Sequence, residues 1–131
     1  MSTHPIDAWH RIVRDSDTAA LDALLAEEAV FHSPVVHTAQ RGKALTHAYL
    51  SAALRVPFND SFAYVREVRG AADAVLEFEV EIDGVLINGV DMIRWNAAGQ
   101  ILDFKVMIRP LKALNLVHQG MAALLAAGAS R

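Results

Sequence analysis

Ile6, Trp9, Ile12 and Val13 recur at the three-and-four spacing of one helical face. They predict an amphipathic first helix, capped by Ser2 or Thr3, with Pro5 in its opening turn. Asp15, Ser16 and Asp17 interrupt that run, and Ser16 or Asp17 then caps a short second helix whose Leu21, Leu24 and Leu25 turn inward. The stretch EEAVFHSPVV reads as a strand. Pro34 has no amide to give a sheet, so the strand either lies at an edge or stops pairing there. Between Gly42 and Val56, the positions Leu45, Tyr49, Ala52, Ala53 and Val56 mark a third helix, closed by Pro57, Asn59, Asp60 and Ser61.

Beyond Ser61 the period changes from helical to alternating. FAYVREV, AVLEFEVEID, VLINGVDMIRW and QILDFKVMIR are four strand-like segments, separated by Gly70 to Asp73, by Asp83-Gly84 and by Asn96 to Gly99. Short polar and glycine-containing gaps of this kind predict consecutive hairpins, and so an antiparallel meander. Leu76, Phe78, Val80 and Ile82 alternate with Glu77, Glu79, Glu81 and Asp83; Leu102, Phe104, Val106 and Ile108 alternate with Asp103, Lys105, Met107 and Arg109. Each apolar row is expected in the core and each charged row in water. In the strand between them, Ile87, Ile93 and Trp95 are expected to share the outer face with Asp91, an apolar patch that a second copy of the chain covers to form a homodimer through the sheet. Pro110 opens a last helix with Leu114, Val117, Met121 and Leu124 on one face, weakened by Gly120.

Composition narrows the class of protein. At 131 residues the chain is the size of one domain, read here as 1–131. A formal charge of -3 gives no reason to expect a nucleic-acid partner, and the absence of cysteine excludes disulfides and thiolate chemistry and fits a reducing compartment. Charges near the N-terminus stand where a signal peptide needs an apolar core, and no stretch approaches the ~20 apolar residues of a membrane span. A cytoplasmic protein with no membrane partner is the expectation. His32 and His37 lack zinc-site spacing and an acidic or cysteine companion, so neither a metal nor another cofactor is expected.

The order of these elements, with SDTAALDALLAEEAVFHSPV, RGKALTHAYL and NGVDMIRWNAAGQILDF in sequence, resembles the nuclear transport factor 2-like superfamily, in its ketosteroid isomerase and SnoaL-like branch. The resemblance implies an α+β fold: a cone-shaped, curved antiparallel sheet packed against three N-terminal helices and closed by a C-terminal helix. It also implies where chemistry would sit. The isomerases' general-base aspartate precedes the strand proline, a position held here by Ser33. Their first oxyanion donor falls on Trp9, eight residues before Asp17, and their second on Asn88, three before Asp91.

An indole N–H and an amide can both donate hydrogen bonds, so Trp9 and Asn88 keep the donor role in this reading. A serine hydroxyl cannot take a proton near neutral pH unaided, so the isomerase proton shuttle lacks its carrier. His32 replaces it only if a bulge turns its side chain inward. His118, beside the apolar stripe of the last helix, reads as an ordinary exposed histidine.

The sequence thus predicts a protein that binds a small hydrophobic molecule. Its pocket is expected to be walled by Leu76, Phe78, Met92, Phe104, Val106 and Ile108, with Trp9, Ser33 and Asn88 as polar groups and Tyr49 as a further lining residue. If the pocket is catalytic, the expected reaction is an isomerase, cyclase or lyase step on a carbonyl compound, with Asn88 holding the oxygen and His32 moving the proton. The alternative is a non-catalytic dimeric accessory domain whose cavity is filled by its own side chains.

Overall fold

A computed structural model describes residues 4–55 and 60–129, so the expected caps Ser2 and Thr3 and the expected helix stops Val56, Pro57 and Asn59 lie outside the described residues. The chain runs α1 (Pro5–Asp15), α2 (Thr18–Leu24), β1 (Leu25–His32), β2 (Gln40–Arg41), α3 (Lys43–Arg55), β3 (Ala63–Arg69), β4 (Asp73–Ile82), β5 (Val85–Trp95), β6 (Ile101–Arg109) and α4 (Leu111–Ala129). The start of α1 is capped by His4, whose Nδ1 accepts from the Ile6 amide. Asp17 caps α2 through the Ala20 amide at 3.0 Å. Leu25, expected at the end of that helix, is instead the buried first residue of β1.

One six-stranded sheet has the order β2-β1-β6-β5-β4-β3. The meander β3-β4-β5-β6 is antiparallel throughout, and β1 adds to it in parallel beside β6, which makes the sheet mixed. β1 is flanked on both sides, by β2 and β6, and ends at His32, so Pro34 is accommodated by the second expected route: pairing stops before it.

The β4–β5 hairpin fixes which side chains reach the core. Asp83 and Gly84, at φ 52° and 77°, form its tight turn, as the left-handed conformations of a two-residue hairpin loop require. From that turn the register runs unbroken from Ile82↔Val85 to Asp73↔Arg94, placing Asp91 opposite Leu76 and Ile93 opposite Ala74. Directly opposed residues share a face. Leu76 is fully buried, so Ile87, Asp91, Ile93 and Trp95 are buried with it rather than exposed as expected, and Met92 turns outward at 37% exposure. The expected outer patch of Ile87, Ile93 and Trp95 therefore does not exist. In β6 a register shift between Arg94 and Trp95 pairs Trp95 with Ile101 and Arg94 with Asp103, so Ile101 takes the buried place expected of Leu102.

Two apolar clusters fill the concave side. One joins Trp9 and Ile12 of α1, Leu21, Phe31, Leu50 and Phe104; the other joins Phe78, Val80 and Ile87 to Ala113 and Val117 of α4. The clusters do not close completely against each other, and a cavity is left where they meet.

Candidate functional site

That cavity encloses about 210 Å³. Its wall draws on both clusters, with Trp9, Phe31 and Phe104 on one side and Phe78, Ile87 and Val117 on the other. Seven side chains named from the sequence do line it: Trp9, Ser33, Tyr49, Phe78, Phe104, Val106 and Ile108. Phe62 lines it too.

Four others do not. Asn88 lies on the outer face, opposite Glu79 and Arg109, where its amide nitrogen donates to Glu77 Oε2 and the Phe78 carbonyl and its oxygen accepts from Arg109 Nε. Strand alternation turned it away once Asp91 turned in, and its capacity as a donor is spent on its neighbours. Met92 is outward for the same reason, and Leu76 is core without bordering the cavity. His32 joins Asp103 Oδ2 through Nε2 at 2.9 Å and borders a separate groove with His37 and Lys105; no bulge turns it inward. Its pairing with Lys105, an outward position of β6, keeps it on that side.

The polar group that does reach the cavity from β5 is Asp91, 5% exposed. It ends a directed chain. Trp9 Nε1–H donates to the Tyr64 hydroxyl at 2.8 Å, and the Tyr64 hydroxyl donates to Asp91 Oδ2 at 2.6 Å. With Oδ2 taken, Oδ1 is the carboxyl oxygen left for the cavity. Among the described residues Asp91 has no cationic partner. Burial therefore dominates and raises its pKa to about 7, with the Tyr64 bond opposing the rise. Burial, and after it the charge of Asp91, pushes the Tyr64 phenol well above its ordinary value. Below about pH 7 the carboxyl is therefore mostly protonated.

Ser33 Oγ accepts from the Val35 amide at 3.2 Å, which leaves its hydroxyl hydrogen to donate. His118 of α4 also lines the cavity, at its exposed edge. Sequence reading placed Asp91 on the outer face, gave Tyr64 no role and took His118 for an ordinary exposed histidine. The signal for Asp91 was present: counting back from a two-residue Asp83-Gly84 turn pairs it with Leu76. Tyr64 and His118 carried no comparable signal, because their roles depend on which elements meet. Among the described residues no group of three His, Asp or Glu side chains gathers as metal ligands do, and no helix is long and apolar enough to cross a membrane.

With this geometry in hand, comparison with known proteins identifies relatives. The SnoaL-like domain family matches residues 6–104. A steroid delta-isomerase from Pseudomonas aeruginosa is 33% identical, with 97% of this chain and 93% of that one covered and a TM-score of 0.89. A protein with a cystatin-like fold from Silicibacter pomeroyi is 30% identical over 91% of this chain and 83% of that one, with a TM-score of 0.83. At 16% identity, covering 80% and 88% with a TM-score of 0.64, an epoxide hydrolase/cyclase-like enzyme of pyran ring formation in salinomycin shares the fold. Among curated proteins none matches.

Proposed function

The chain belongs to the SnoaL-like domain family, which includes isomerases and cyclases, and on that premise we propose that it binds a neutral, largely apolar carbonyl compound whose oxygen accepts a hydrogen bond from Asp91. The observation that carries the proposal is the Trp9–Tyr64–Asp91 chain ending at a carboxyl in an otherwise aromatic and aliphatic hollow. A buried carboxylic acid kept neutral is a donor aimed where negative charge develops, the device known from ketosteroid isomerases. The role that the isomerase resemblance assigned to Asn88 thus passes to Asp91, while Trp9 acts one step back, by orienting Tyr64.

Size narrows the ligand class. A hollow of about 210 Å³ is smaller than the ~300 to 1,000 Å³ typical of ligand pockets, and so fits a compound of one or two rings rather than a four-ring body. It is also open volume, which supports binding over an accessory domain packed shut by its own side chains. The bicyclic ketone 2-tetralone is a suitable probe, followed by tryptophan fluorescence and melting temperature. At 100 times its dissociation constant a ligand adds about 2.7 kcal/mol to stability. Saturable binding at pH 6 that weakens above pH 7 is expected, because an ionised Asp91 has no proton to donate. The absence of any response to 2-tetralone and to other one- and two-ring ketones would remove the proposal.

A homodimer through the outer sheet face also belongs to this reading, on residues other than those first expected. The outward row of β5 is apolar at Leu86, Val90 and Met92; on one side β4 presents Glu77, Glu79 and Glu81, and on the other β6 presents Lys105 and Arg109 around Met107. A two-fold axis through β5 lays the acidic row of each copy over the basic row of the other, which makes the face complementary to itself.

A further inference from the structure

We propose that His118 is the catalytic base of this cavity, taking a proton from the carbon next to the ligand carbonyl that Asp91 holds. The proposal rests on the binding reading above and adds the group that would turn binding into reaction. Of the described side chains that line the hollow, only Asp91 and His118 belong to residue types that exchange a proton within a few units of neutrality. Asp91 is committed as the donor at the oxygen. Ser33 stands at the isomerases' base position, but its hydroxyl is no base near neutral pH, and its Oγ is held by the Val35 amide. The Tyr49 phenol is likewise the wrong acid–base class. His32 is held by Asp103 in the other groove.

His118 is placed by helix geometry. Val117, His118, Met121, Ala122 and Leu125 all line the cavity, and their spacing of one, four, five and eight residues is a single helical stripe. The stripe that faces the hollow is thus rotated from the Leu114, Val117, Met121, Leu124 row read from the sequence, and His118 falls inside it. Its side chain is exposed at the rim, so a proton taken from a ligand can pass to water. Ser33, Pro34, Val35 and Val36 line the same cavity, Val35 and Val36 being exposed.

The step balances without any other reagent. The imidazole nitrogen forms a bond to the departing proton, the electrons of the C–H bond become a C=C bond, and the carbonyl π electrons move to the oxygen, which accepts from Asp91. Return of the proton to the same carbon is exchange, and its return to a conjugated carbon is isomerisation.

The test measures exchange of the acidic methylene protons of 2-tetralone in D₂O by proton NMR, at rates above buffer alone, alongside binding by fluorescence. H118A is expected to keep saturable binding of 2-tetralone but to exchange it on the order of 100-fold more slowly, with partial rescue by added imidazole. Placing the isomerases' carboxylate with S33D in the H118A background is expected to restore exchange, which shows that the cavity itself is intact. If H118A exchanges as fast as the native chain, or if the native chain binds 2-tetralone without exchanging it, His118 has no such role while the binding reading stands. If native protein neither binds nor exchanges the probe, both proposals are overturned.

Discussion

At Asp91 a carboxyl group has been taken from water without a cation among the described residues to compensate, and the consequences extend from ligand binding to stability. Its pKa of about 7 in the folded chain lies above the 3.8 of an ordinary aspartate. The folded state therefore holds its proton where the unfolded chain has released it. The contribution of this group is fully present below pH 3.8 and is lost as pH rises through about 7. The loss is on the order of 4 kcal/mol at most. D91N is isosteric and never ionises, so the stability of the native chain relative to D91N is expected to fall between pH 5 and pH 8 and then level off. Urea denaturation of both proteins across that range measures it, and a difference independent of pH would show that Asp91 is ionised throughout. Ser33 illustrates the opposite situation, a residue whose chemistry was plain from its type alone. Asp91 had the right type too, but its role waited on knowing which way it pointed.

The β4–β5 hairpin is the element that sets this direction, and Gly89 is its tightest point. A Cβ built there meets the Phe78 ring at 2.5 Å and the Met107 carbonyl oxygen at 2.7 Å. The ring of Phe78 lies across the strand where a side chain would otherwise stand, stacked on Phe62 at 5.4 Å between centroids. G89A is therefore expected to destabilise the protein by about 1 to 3 kcal/mol. It is also expected to weaken 2-tetralone binding, because Phe78 can yield only into the hollow it lines. Thermal unfolding and a binding titration check both effects, and an unchanged melting temperature would mean that the strands have room to separate there. On the other side of the cavity, the helical period of α4 could be read from the chain. Which of its stripes meets the hollow depends on how the helix lies across β5 and β6.

For the molecule as a whole, the concave face holds the cavity and the outer face is the proposed dimer surface. The native protein is expected to sediment as a dimer, at about twice its 14.3 kDa. V90E with M92E sets four acids around the proposed axis, and is expected to yield monomers that keep their secondary structure. Analytical ultracentrifugation distinguishes the two, and a monomeric native chain at tens of micromolar would remove the proposed interface. Local pattern alone determined every element but β2, the apolar row of β4 and most of that of β6, and the break at Pro34, because helical and strand periods are written into neighbouring residues. Only the tertiary structure decided that Tyr64 links Trp9 to the Asp91 carboxyl, and that His118 reaches the same hollow. Those facts depend on strand register and on contacts such as the one between positions 9 and 64, which join segments far apart in the chain and leave no period in either of them.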